Sequence, residues 1–165
     1  MSYPLSLPGL NAKEAIVDAL YRAAIGFDRN DLSIFDSAFA REDVVLELNS
    51  GTGEKRSING LAALKAGVLG HVGPMDTTHM ISNVRINHTE GEETASMTAY
   101  ALAQHCPPGR GMEPDGPKYI AGGEYSLDLV MDHGDKLWKI KKWVLDIIWR
   151  QGDQSVMEGP RPSSE

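Results

Sequence analysis

The sequence predicts an α+β fold. Helical spacing of apolar residues is confined to the first half of the 165-residue chain, long alternating strand-like segments fill the second half, and those strands are joined by turns rather than helices. Helices first and hairpin-linked strands afterwards argue against alternating βαβ units. An antiparallel sheet of this kind must bury one face against the helices.

Taken in order, "NAKEAIVDALYRAAIGFDRND" reads as a first helix. Asn11 caps it with Glu14 three residues on, a capping box, and Ile16, Leu20, Ala23, Ala24 and Phe27 form one apolar stripe. Gly26 weakens its last turn. "NDLSIFDSAFA" reads as a short second helix capped by Asn30 or Asp31, with Leu32, Phe35 and Phe39 on one side. "DVVLELN" is a strand and "SGTGEKR" a turn-rich loop. "SINGLAALKAGVLGHVG" follows as a third helix with Leu61, Leu64 and Val68 inward. The strands of the second half are "TTHMISNVRIN", "TASMTAYALAQHC", "KYIAGGEYSLDLVM" and "KLWKIKKWVLDIIWRQ". We expect one domain over residues 1–153 and a loose polar tail over 154–165.

Composition narrows the function classes. The net charge of −7 disfavours a nucleic-acid phosphate backbone or an anionic membrane surface as partner. No apolar run approaches the ~20 residues that span a bilayer. The N-terminus lacks the basic and apolar regions of a secretory signal, and a single cysteine, Cys106, fits a reducing compartment. The expectation is a soluble, cytoplasmic protein. Dinucleotide, P-loop, nucleophile-elbow and H-E-x-x-H signatures are all absent, so no metal and no cofactor is expected.

What remains is polar chemistry inside apolar elements. Strand alternation puts Thr77, His79 and Ile81 on one face. A lone strand histidine is ordinarily a hydrogen-bonded core residue, but His105 closes the next strand in register with Ala99, Ala101 and Ala103. Three alanines beside an imidazole leave space, which suggests a ligand cavity. Asp28, after the apolar Phe27, is either a solvated acid, a cap for the second helix, or an inward-facing carboxylate. The helix macrodipole opposes a carboxylate at that end, and a histidine partner resolves the conflict. Glu124, Ser126 and Asp128 share a strand face opposite Tyr125, Leu127 and Leu129. They read as solvated unless the sheet curves enough to bring them to the cavity mouth. Trp138, Trp143 and Trp149 read as packing, with Trp149 a possible pocket wall.

The segments "GFDRNDLSIFDSAFAREDVVLEL", "TTHMISN", "AYALAQH", "GGEYSLDLV" and "LWKIKKWVLDIIWRQGD", in this order, resemble the SnoaL-like and scytalone-dehydratase-like branch of the nuclear-transport-factor-2-like superfamily. The resemblance runs from about Ala12 to Asp153. It implies a cone-shaped barrel, a strongly curved antiparallel sheet wrapped around three N-terminal helices with a deep apolar pocket. It also implies that Asp28, His79 and His105 correspond to the family's aspartate and two pocket histidines, and that Ser126 and Asp128 lie near its pocket serine and asparagine. Phe27 and Leu48 stand where the dehydratase has water-holding tyrosines, so the carbonyl-polarising machinery differs.

The activity so implied is cofactor-independent elimination, isomerisation or cyclisation of an apolar secondary metabolite of polyketide, terpenoid or alkaloid type. His79, oriented by Asp28, is the expected base and His105 the expected donor. Phe27, Leu48, Ala101, Ala103, Glu124, Ser126, Asp128 and Trp149 are the expected substrate contacts. Epoxide hydrolysis, with a water held by Asp28 or Asp128, and ligand carriage without catalysis are the alternatives. Tyr100, Leu102, Tyr125 and Leu127 are expected on the convex face, where a dimer or trimer would cover them.

Overall fold

The computed structural model describes residues 3–51 and 53–158. Three helical regions pack on the concave side of one six-stranded sheet. Helix α1 (Ala12–Arg29) begins with the anticipated capping box, the Asn11 side chain accepting from the Glu14 N–H and the Glu14 carboxylate from the Asn11 N–H. It ends at Asn30 in the left-handed region, φ 49°. Helix α2 (Leu32–Ser37) is capped by Asp31, whose Oδ1 accepts from Ser33 and Ile34. Phe35 and Phe39 are buried as expected, but Ile34 takes the inward place expected of Leu32, which lies exposed. Gly26 has a packing role: a Cβ there would lie 2.7 Å from the Phe35 Cβ, so only glycine lets α1 and α2 cross this closely.

The chain continues through β1 (Val45–Asn49) and β2 (Lys55–Asn59). The third helical region comprises α3 (Leu61–Leu64), a π turn (Lys65–Leu69) and α4 (Gly70–Val72). Four long strands follow: β3 (Asp76–Asn87), β4 (Thr94–Cys106), β5 (Tyr119–Met131) and β6 (Trp138–Gly152). The sheet order is β2-β1-β6-β5-β4-β3, open rather than closed. All neighbours run antiparallel except β1 and β6, which are parallel, so the sheet is mixed. The short charged strand β2 occupies a stretch read from sequence as loop and helix start.

Three bulges decide which side chains face the core, one in β3 and two in β6, at Lys141 and Ile148. In β3, Asn83 at φ 51° and Val84 oppose one residue of β4, and the bulge passes the inward face from Ile81 to Val84 and Ile86. In β6, Ile148 is an extra residue between the pairs Gly123–Ile147 and Gly122–Trp149. Tyr125 and Leu127 face the core with Met97 and Ala99, not the convex face where they were expected. Tyr100 and Leu102 do lie on the convex face as expected, with Met80 and Trp149 also exposed there. Beyond β6, Gln154–Met157 forms a 3-10 turn with Val156 buried, so the first residues of the expected loose tail pack on the domain. Residues 159–165 lie outside the described chain.

Candidate active site

A cavity of about 400 Å³ opens between the helices and the concave sheet face, lined mostly by apolar side chains. Asp28, in the last turn of α1, reaches β3 at its wall. Its Oδ1 accepts from the Thr77 hydroxyl at 2.7 Å and lies 2.7 Å from the His79 Nδ1. Its Oδ2 accepts from the His79 backbone N–H at 2.9 Å. Thr-x-His therefore supplies three donors to one carboxylate. The backbone donor is free because β3 is a sheet edge, which α1 covers here. Burial opposes ionisation of Asp28, but the His79 ring, the His79 N–H and the Thr77 hydroxyl outweigh it and hold the carboxyl below its ordinary value.

Because an ionised carboxylate only accepts, the His79 Nδ1 carries the hydrogen of that contact, and Nε2 makes no hydrogen bond among the described residues. Both side chains are largely buried, Asp28 20% and His79 11% exposed. The His105 ring stands perpendicular to that of His79, centroids 5.4 Å apart, and is 6% exposed. Burial, with the nearby His79, pushes His105 down to about 4, so it is neutral near pH 7. Its Nδ1 is buried without a hydrogen-bond partner among the described residues, and the residue lines the cavity.

The structure brings Asp28, His79 and His105 together and places Phe27, Leu48, Ala101 and Ala103 in the cavity wall. It does not bring Glu124, Ser126, Asp128 or Trp149 there. The first three alternate with buried Tyr125, Leu127 and Leu129 and so lie on the outer face, where Ser126 and Asp128 border a shallow groove with Arg85 and Lys142. The sheet's curvature does not carry that face round to the mouth. Trp149 is turned outward by the Ile148 bulge; its ring lies over Gly122, where a Cβ would meet it at 2.3 Å, and it is 48% exposed.

Two tyrosines also line the cavity: Tyr119, not singled out in the sequence, and Tyr125, expected on the convex face. Tyr119 and Tyr125 are both buried, and neither hydroxyl makes a hydrogen bond among the described residues. Burial, then the Asp28 charge, pushes the Tyr125 phenol up, so it stays protonated and can donate. Strand parity puts Tyr125 inward, but only the cavity makes its hydroxyl available. His71 was missed as well. From α4 its Nε2–H donates to the Met157 carbonyl at 2.9 Å, fastening the 3-10 turn beside the opening. Among the described residues no three His, Cys, Asp or Glu side chains converge to hold a metal ion.

Comparison with known proteins agrees with this fold. The SnoaL-like domain profile matches residues 8–144. This chain belongs to the SnoaL-like domain family. A curated relative, terrestric acid biosynthesis cluster protein E of Penicillium crustosum, is 45% identical over 154 residues, covering 93% of this chain and 94% of the relative. Among solved structures, a scytalone dehydratase-type protein from Novosphingobium aromaticivorans superposes with a TM-score of 0.67 at 23% identity, covering 86% of this chain and 87% of that one. A hexachlorocyclohexane dehydrochlorinase from Novosphingobium barchaimii gives 0.62 at 15% identity, covering 91% and 95%. These structures share the cone-type α+β fold of this SnoaL-like domain. No helix among the described residues is long and apolar enough to cross a membrane.

Proposed function

We propose that this SnoaL-like domain is a cofactor-independent acid–base enzyme, a dehydratase, isomerase or cyclase acting on an apolar hydroxylated or carbonyl-bearing secondary metabolite. The observation that carries this reading is the 2.7 Å contact between Asp28 and the His79 Nδ1 at the wall of an apolar cavity, with a neutral imidazole 5.4 Å away. The curated relative, named for a biosynthetic cluster, supports the metabolite class.

In this mechanism His79 Nε2 takes a proton from a carbon next to a substrate carbonyl, and the electron pair moves onto the carbonyl oxygen. Asp28 stabilises the imidazolium so formed. Hydrogen bonds from Tyr125 and from the His105 Nε2–H stabilise the developing enolate oxygen, the role that a neutral imidazole can fill without surrendering its proton. In an elimination, the enolate then expels a β-hydroxyl, which leaves as water with the proton from His79. In an isomerisation, His79 returns the proton to a different carbon.

Solvent deuterium reports the first step whichever course follows. β-Hydroxy ketones incubated in D₂O should lose water or gain deuterium at the α-carbon with wild-type protein. Asp28→Asn and His79→Ala, still folded, should slow this by about 10²- to 10⁴-fold. Ligand binding with no exchange by the wild type would instead make the domain a carrier. We also propose that a second copy covers Met80, Tyr100 and Trp149 on the convex face. Light scattering at the monomer mass would contradict that.

A further inference from the structure

Three charged side chains stand at the cavity rim: Glu54, Arg56 and Arg150. All three are exposed, and none forms an ion pair among the described residues.

Both arginines are brought to the rim by specific backbone features. Arg150 faces the cavity because Ile148 is an extra residue. The bulge turns Trp149 outward and puts Arg150 opposite Ala121, itself a cavity residue. Arg56 lies on the edge strand β2 opposite Leu48, another cavity residue. Its Nη2 sits 3.7 Å from where a Cβ on Gly67 would be, so the guanidinium lies along the π turn. Gly67 and Val68 of that turn form part of the cavity wall, and interruptions of this kind in helices recur at functional sites.

The register also sets a direction. His79 pairs with Ala103, Ala103 with Ala121, and Ala121 with Arg150, so one row of the concave face runs from the histidine to the arginine. Only two alanines lie between, leaving a shallow slot across the strands. Three strand spacings of about 4.8 Å give a row of roughly 14 Å, shortened as a chord by curvature.

We infer that the substrate is an amphiphilic monocarboxylate: its apolar body lies along the His79–Ala103–Ala121–Arg150 row, and its carboxylate is held at the rim by Arg56 and Arg150. A guanidinium forms charge-assisted, often bidentate bonds with a carboxylate, and two of them give a neutral ligand no comparable gain. Glu54 lowers the rim to a net charge of +1, which suits one negative charge and disfavours a phosphate dianion. The reacting carbon then lies at the His79 end, away from the carboxylate. This inference rests on the reading of the cavity as the substrate site.

The test is a binding measurement without turnover. 6-Phenylhexanoate and its uncharged isostere 6-phenylhexanamide are titrated calorimetrically into the wild-type full chain, Arg56→Gln, Arg150→Gln, the double variant and His79→Ala. The carboxylate should bind about ten- to a hundredfold tighter than the amide. That preference should shrink with salt, fall in each arginine variant and vanish in the double variant. It should persist in His79→Ala. Equal affinities in the wild type, a preference that survives in the double variant, or no binding of either probe at millimolar concentration would overturn the inference. A wrong acid–base assignment would leave the preference intact, whereas a wrong anion site would leave His79-dependent exchange of neutral ketones intact.

Discussion

Helix α1 sends three charged side chains into the protein, the pair Asp18 and Arg22 and, further on, Asp28, and the two groups are treated in opposite ways. Arg22, 2% exposed, spends its guanidinium on structure. Nε bonds Asp18 at 2.8 Å, Nη1 bonds the Ser37 hydroxyl at 3.0 Å and its carbonyl, and Nη2 bonds the Trp138 carbonyl at 2.7 Å. It ties α1 to α2 and to the start of β6. Asp28, six residues on, is equally well satisfied, but its partner is not: His79 keeps Nε2 free beside a cavity. A structural polar cluster closes on itself, while one suited to chemistry stops one bond short. Burial alone does not separate the two; the ring nitrogen left without a partner among the described residues does.

If that contrast is right, the two clusters should fail differently. Arg22→Met should cost about 3–5 kcal/mol in urea unfolding, because it leaves Asp18 and two carbonyls without their partner; a loss below about 1 kcal/mol would break the comparison. His79→Ala should reverse the pattern, with stability falling by only about 1–2 kcal/mol while proton-transfer activity falls about 10²- to 10⁴-fold. Chemical denaturation and deuterium exchange on the same samples separate the two effects.

His105 sharpens the contrast through pH. Its folded value of about 4 lies below its ordinary 6.5, so between these values the unfolded chain binds the extra proton. Stability contributed by the neutral ring is therefore present above pH 6.5 and is lost as the pH falls towards 4, by about 3 kcal/mol in all. Asp28, held low, adds a loss of the same sign further into acid, as the pH falls through its folded value. His105→Gln should flatten the unfolding profile between pH 6.5 and 4 and leave the more acidic limb in place. The smallest effect expected is that of His71→Ala. It removes one hydrogen bond to Met157, costs about 0.5–1.5 kcal/mol, and should raise amide exchange within residues 154–158 selectively.

Much of this arrangement is legible in the sequence because it depends on local periodicity. The Asn11 cap, the α1 stripe and the alternation of β4 need no tertiary information, and they put His105 in register with its alanines. Asp28 was legible through a conflict, a carboxylate at the wrong end of a helix dipole. The rest fails where one residue changes a parity. The extra Ile148 sends Trp149 outward and Arg150 inward, and no pattern in "VLDIIWRQ" marks it. The five-residue edge strand β2 carries too few apolar residues to announce itself. Tyr119 and Tyr125 were assigned the correct strand, but whether a buried hydroxyl finds a protein partner is decided by the far wall of the cavity.

The central claim is that Asp28 fixes the hydrogen of His79 on Nδ1 and leaves Nε2 to take a proton. Long-range ¹H–¹⁵N NMR of the imidazoles, in the wild type and in Asp28→Asn, reads this directly. The account predicts the Nδ1–H tautomer for His79 in the wild type, its loss or mixing in Asp28→Asn, and a His105 ring that stays neutral well below pH 6. A wild-type His79 carrying its hydrogen on Nε2, or one whose tautomer ignores the Asp28 substitution, would contradict it.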